Sequence, residues 1–194
     1  PHRVGLLPAC IAIYHAYLDR VPVFIMGATG PMDEAKRRPH IDWTHTALVQ
    51  GNAVRDYVKW DYQPTSIDGV PESFARAYSI MMTEPKGPIY MCYDAALQEA
   101  PKTHEVPLPP PSAVVTPSPM APDPRAIEAI ADKIVKAEHP MLLPEYAGRR
   151  EGGFENIVEL AELTGSAVWD VNNALNFPNK HPLCLSMDKE SLKH

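Results

Sequence analysis

The chain is 194 residues long, 45% hydrophobic and 22% charged, with a formal net charge of −6. That apolar content is enough to close a core and argues against disorder, while the acidic balance argues against a nucleic-acid partner, whose phosphates call for a basic face. No apolar run reaches the ~18 to 20 residues of a membrane span, and Cys10, Cys92 and Cys184, odd in number and without a CxxC spacing, suit a cytoplasmic protein better than a disulfide or zinc framework.

Taken in chain order, residues 6–18 form a nearly all-apolar stretch in which Leu7, Ile11, Tyr14 and Leu18 recur at helical spacing, with Pro8 suited to the first turn. The stretch is too short for a span and has no basic leader or cleavage site. Residues 21–28, VPVFIMGA, are a continuous apolar run of the kind a doubly covered parallel strand requires. Asp42 is placed to cap a short helix through Val49, with Gly51 near its stop. Residues 54–60 read as a strand. Residues 71–82 read as a helix with Val70, Phe74, Ala77, Tyr78 and Met81 inward, and residues 88–93 as a second buried strand.

Nine of the 22 prolines lie between Pro101 and Pro124. Proline lacks the amide donor and fixes φ, so this tract is expected to be an extended strap rather than helix or inner strand. A linker suits it better than a proline-rich recognition ligand, because αβ patterns flank it on both sides. Beyond it, Asp123 followed by Pro124 marks a helix start, and Ile127, Ile130, Ala131 and Ile134 make one apolar stripe. A short strand at 141–143 follows. Next come a helix at 154–164, with Ile157, Leu160 and Ala161 inward and Gly165 at its end, and a strand at 167–171. Alternating strands and helices predict an α/β protein with parallel doubly wound sheets.

Few local patterns carry chemistry unaided. His40 and His45 with Asp42 between them lack the HExxH spacing and a third ligand, so no metal site is expected. The Gly27 to Gly30 turn follows a strand but has neither GxGxxG nor GxxxxGK. The glycines from Gly148 to Gly153 fit neither dinucleotide fingerprint.

The stretch VKWDYQPTSIDGVPESFARAYSIMMTEPKGPIYMCYDAALQE, residues 58–99, combines a Lys59-Trp60 pair, a Gln63-Pro64 step, the VPESFARAY helix and the GPIYMCYD strand. It resembles the end of the pyrimidine-binding domain of thiamine-diphosphate (ThDP) enzymes, nearest in wording to acetolactate synthases and benzoylformate decarboxylases. LAELTGSAV and FPNKHPL resemble the start of the Rossmann-like central domain of the same enzymes. The resemblance divides the chain into residues 1–100, the later part of a pyrimidine-binding domain, residues 101–121, a linker, and residues 122–194, the earlier part of a central domain. It implies a piece of a three-domain subunit that decarboxylates a small 2-oxo acid with ThDP and Mg2+, then protonates or carboligates the enamine, in a cytoplasmic homodimer or homotetramer.

In such enzymes a glutamate activates the cofactor; by resemblance it falls upstream of Pro1, and none of Glu34, Glu72, Glu84 or Glu99 takes its place. The GDG motif for pyrophosphate and magnesium belongs beyond a complete central domain. The segment at Gly5 leads into a helix whose start faces the pyrimidine in relatives, and Pro8 stands where relatives often carry Asn. Aligning on Arg55 and Lys59 puts Thr44, His45 and Thr46 where acetolactate synthases carry a cofactor-facing Gln and benzoylformate decarboxylase carries apolar residues. Gly5, Thr44 and Thr46 are thus candidate cofactor contacts. His45 is the candidate substrate-facing proton donor, imidazole being the side chain that titrates near neutrality; against it stands a histidine that merely satisfies a backbone carbonyl. His2 sits one position out of register with a catalytic histidine of some relatives. FAD, which acetolactate synthases bind, stays open by resemblance alone. The competing readings are a non-catalytic relative or binding module without a complete cofactor site and, less well supported, a generic nucleotide-binding protein.

Overall fold

The computed structural model describes residues 3–170 and 174–185, and the chain falls into two compact units, Pro1–Pro119 and Met120–His194. The first is built on helix α1 (Arg3–Leu18), strand β1 (Phe24–Thr29), helix α2 (Ile41–His45), strand β2 (Trp60–Tyr62), helix α3 (Gly69–Met82), strand β3 (Ile89–Asp94) and helix α4 (Ala95–Glu99). The strands form one parallel sheet in the order β1-β3-β2, with Phe24 opposite Ile89 and Trp60 opposite the same residue on the other side. Strand β3 is central, and its side chains alternate between two cores. Tyr90 and Cys92 meet Leu6, Ile13, Val54 and Val58 on one face, while Ile89 and Met91 meet Ala77 and Met81 on the other. Burial on both faces is why this strand reads as an unbroken apolar run.

Several sequence expectations need correction. Helix α1 starts at Arg3, so Pro8 lies inside it rather than in its first turn. It packs through Leu6 and Ile13, leaving the Leu7, Ile11, Tyr14 and Leu18 stripe exposed. In a helix apolar all round, periodicity does not say which face meets the sheet. Asp42 is no cap: it is buried in the first turn of α2, where its carboxylate accepts from Arg38 N (2.7 Å) and the Arg38 guanidinium (3.0 and 3.1 Å). Gly51 is in a 3-10 turn, Gln50–Ala53, not at a helix stop.

Residues 54–60 hold a second 3-10 turn, Arg55–Tyr57, instead of a strand, and pairing begins only at Trp60. Val54 and Val58 are both buried, but a spacing of four puts two side chains on one face of a helical turn and of a strand alike, so their burial does not tell the two apart. Phe74 and Tyr78 of α3 are partly exposed, turned to a groove of about 610 Å³ whose other wall is Leu108, Pro109 and Val114 of the strap. Phe74 also stacks on Phe24, with ring centroids 4.8 Å apart. The proline tract is extended and exposed apart from one 3-10 turn, Pro111–Ala113. His104 Nε2 lies 2.7 Å from Asp68 Oδ1 at the foot of α3.

Lys59 explains its own place in the sequence. Its ammonium donates to the carbonyls of Ile80 (2.5 Å) and Thr83 at the end of α3, so it caps that helix from the position just before β2. Burial lowers the Lys59 pKa, an effect partly offset by Glu84.

The second unit contains helix α5 (Pro124–Lys136), strand β4 (Met141–Leu142), helix α6 (Gly153–Thr164) and strand β5 (Ala167–Val168). Asp123 accepts from Arg125 N (2.9 Å) and caps α5 as expected. The apolar stripe of α5 is uncovered, with Ile127 and Ile130 50% and 54% exposed. Strands β4 and β5 pair in parallel, and Ala161, Val168 and Phe177 form a small core. Leu160, expected inward, is 38% exposed. Gly165 ends α6 at φ 65°, the left-handed conformation that glycine adopts without a Cβ penalty. Val171, the expected last residue of the final strand, lies outside the described residues.

Candidate functional site

In an open parallel α/β sheet, ligand crevices form beyond the carboxyl ends of the strands. Here those ends are Thr29, Tyr62 and Asp94, and the loop leaving β1 folds back over them. Three grips fix that loop. Asp94 Oδ2 accepts from Met32 N at 2.9 Å. Thr29 Oγ1 accepts from Ala47 N at 3.2 Å and faces Ala47 O at 3.4 Å. Gln50 donates from Nε2 to Ala28 O (2.8 Å) and accepts the Tyr90 hydroxyl at Oε1 (2.9 Å).

Thr29, Gln50 and Tyr90 are all buried, so each bond is shielded from water and costly to lose. Gly27 makes room for the arrangement: a Cβ there would stand 2.0 Å from the Tyr90 hydroxyl oxygen. Sequence reasoning missed Thr29 and Gln50. Each follows an apolar run in one dimension, and only the fold brings their partners to them.

Beside these grips lies a cleft of about 430 Å³, lined by Met32, Leu48 and Val49 together with Arg55, Asp61 and Tyr90. The Arg55 guanidinium donates to both Asp61 oxygens, at 2.8 and 2.7 Å. The pair thus adds a charge-neutralised polar element to a lining that also holds Met32, Leu48 and Val49. Cys92 also borders the cleft, but burial pushes its thiol pKa up, away from the thiolate that reactivity needs.

The residues singled out by sequence fall on two elements. Gly5 is exposed and within α1, not in a lead-in to it. Thr44, His45 and Thr46 stand at the end of α2, where each polar side chain returns to the carbonyl four residues back. Thr44 Oγ1 donates to His40 O (2.9 Å), the protonated Nδ1 of His45 to Ile41 O (2.7 Å), and Thr46 Oγ1 to Asp42 O (2.5 Å). A carbonyl only accepts, so His45 holds its proton on Nδ1 there, and Nε2 is the ring atom able to take one up.

None of these four residues lines the 430 Å³ cleft, whereas Leu48 and Val49, directly after them, do. His40 precedes α2 at φ 64°, an uncommon conformation for a residue with a Cβ. His2 lies outside the described residues. Among the described residues no group of three or more His, Cys, Asp or Glu side chains is placed to hold a metal.

Solved structures share this fold. A protein of Mycobacterium smegmatis assigned as a thiamin diphosphate-dependent enzyme matches 93% of the chain at 26% identity and a TM-score of 0.69. Benzoylformate decarboxylase from Polynucleobacter necessarius matches 93% at 25% identity and a TM-score of 0.71. The chain has the fold of part of a ThDP-dependent enzyme. A thiamine diphosphate-dependent 4-hydroxybenzoylformate decarboxylase of Rhodococcus jostii RHA1 matches 94% with a TM-score of 0.71, and at 19% identity it shows the fold alone. The chain spans about a third of each of these proteins, 33–34% of their length. No protein-family model matches the sequence, and no curated protein does. The resemblance read from residues 58–99 and the α/β class with parallel sheets are both borne out.

The residues of this chain do not by themselves fit ThDP. Glu34, Glu72, Glu84 and Glu99 are all exposed. Glu72 pairs with Arg76 and Glu99 with Arg38, and Glu84 accepts from Lys86 N. None of these four is therefore buried as a glutamate against an aminopyrimidine would be. Among its described residues the second unit shows no open cradle for FAD either. Asn176 is fully buried, and its side-chain amide donates to Glu145 O, Asp170 Oδ1 and Ala174 O and accepts from Gly148 N. The amides of Ala147, Arg149, Arg150 and Gly153 are engaged by loop carbonyls. Leu175 O lies 2.3 Å from where a Cβ on Gly148 would stand, which leaves a diphosphate no open backbone cradle.

Proposed function

We propose that this chain is a segment of a ThDP-dependent enzyme that decarboxylates a 2-oxo acid, releasing carbon dioxide and protonating the remaining carbon to an aldehyde or joining it to a second carbonyl. The observation that carries the reading is the match across 93–94% of the chain, through both units, to proteins of which two are named as benzoylformate-type decarboxylases. In this reading residues 1–100 belong to the pyrimidine-binding domain, residues 101–121 to a linker and residues 122–194 to the central domain. The activating carboxylate and the Mg2+ motif come from elsewhere in a cytoplasmic homodimer or homotetramer. Gly5, Thr44 and Thr46 border the cofactor, and His45 faces the substrate, its Nε2 exchanging the proton that the product aldehyde requires.

The test uses the full-length protein with benzoylformate and with pyruvate, following carbon dioxide release with and without ThDP and Mg2+. Cofactor-dependent release on either acid is the expected outcome, and acyloin formation on adding an aldehyde would identify carboligation. No release with any 2-oxo acid, together with no heat of ThDP binding, would leave the non-catalytic relative as the better reading. His45→Ala at unchanged turnover would remove His45 from the chemistry.

A further inference from the structure

The loop from Gly30 to Val49 carries the candidate proton donor, yet α2 is only five residues long and is tied mostly to itself. Arg38 clasps Asp42 through three hydrogen bonds, Thr44, His45 and Thr46 bond back within the helix, and Arg37 holds Pro31 O (2.7 Å) while stacking on Trp43 at 5.0 Å. Holds from outside the loop fix its place: Arg38 reaches Glu99 of α4 at 3.4 Å, seven residues before His45. The grips at Met32 and Gln50 act many residues away or beyond the turn at Leu48. The grip at Ala47 acts two residues from His45, and it comes from Thr29, a wholly buried side chain at the carboxyl end of β1.

We infer that the Thr29 hydroxyl is a positioning group for His45: by bonding the Ala47 peptide it sets α2 against the carboxyl edge of the sheet and aims the imidazole. The inference rests on the proposed role of His45. A small displacement of a catalytic group is enough to cost turnover strongly, while substrate affinity, set by other contacts, changes little. Thr29 touches no reacting atom in this account, and its effect passes entirely through His45.

The experiment compares Thr29→Val, Thr29→Ser, His45→Ala and the double variant Thr29→Val/His45→Ala in the full-length enzyme, with kcat and KM on the best 2-oxo acid and amide hydrogen exchange at Ala47. Valine matches threonine in size and lacks the hydroxyl; Thr29→Cys, with a weak S–H donor, serves if the valine variant does not fold. Expected are an approximately tenfold lower kcat in Thr29→Val with KM within about twofold, restoration by Thr29→Ser, faster exchange at Ala47, and a double variant no slower than His45→Ala. Wild-type kcat in Thr29→Val alongside an impaired His45→Ala overturns the inference alone, as does a double variant whose losses multiply. Unchanged turnover in His45→Ala overturns the reading beneath it.

Discussion

The two units use the same αβ vocabulary and close it differently. The first wraps a central strand between two helices, so that β3 is buried on both faces and each face has its own cluster of apolar side chains. The second pairs strands of two residues, buries three apolar side chains, and organises its loops around one amide side chain, Asn176. Its amphipathic helix α5 leaves its apolar stripe largely exposed, with only Ile134 half-buried among its residues. Two α/β patterns of similar sequence quality therefore differ in how much of their stability is apolar and how much is a buried polar network. A polar network has less tolerance, since each missing partner strands the others.

The largest separation between the units is expected at high pH. Burial pushes the hydroxyl of Tyr93 up to about 12, and that of Tyr90 up as well. Both belong to β3, where the folded state keeps them neutral. A raised folded-state pKa means that this stability is fully present below the ordinary tyrosine pKa of about 10 and is lost as pH rises through the folded value. The first unit should thus unfold between about pH 10 and 12, while the second, whose core holds no tyrosine, outlasts it. Circular dichroism with Trp169 fluorescence, in a variant with Trp43 and Trp60 replaced by Phe, would show the order, and simultaneous loss would break the comparison.

Asn176→Ala addresses the polar unit. It leaves Gly148 N–H, Glu145 O and the Asp170 carboxylate without this partner, a loss of about 3 kcal/mol, which is most of what so small a core sustains. Denaturant titration should show Trp169 melting early, with the first unit unchanged. Tyr90→Phe is the matching change in the apolar unit. It removes one bond to Gln50 Oε1 and should cost about 1 to 2 kcal/mol, shifting only the transition of the first unit. If Tyr90→Phe proves the costlier, the contrast between apolar and polar closure fails. The smallest effect is expected from Ile130→Ser on α5, under about 0.5 kcal/mol in this chain, because the side chain is already half exposed.

Parts of this molecule are legible in one dimension because local physics dictates them. The strand at 89–94, the helix at 69–82 with Ala77 and Met81 inward, the Asp123 cap and the Gly165 stop all follow from periodicity or from a conformation only certain residues favour. The segment 54–60 misleads because its valines and tyrosine raise strand propensity, which tertiary context overrides with the 3-10 turn Arg55–Tyr57. The candidate site was legible only through resemblance, which points to Thr44, His45 and Thr46 without saying what holds them.

The sequence by itself determined the α/β class, the extended proline strap and the acidic balance of the chain, since these depend on composition and on neighbours along the chain. Only the tertiary structure decided which face of α1 is buried, that Lys59 caps a helix more than twenty residues away, and that Thr29, Gln50 and Asp94 grip the loop bearing His45. Those are contacts between residues distant in sequence. A hydroxyl or an amide carries no sign of its partner until the backbone brings the two within hydrogen-bonding distance.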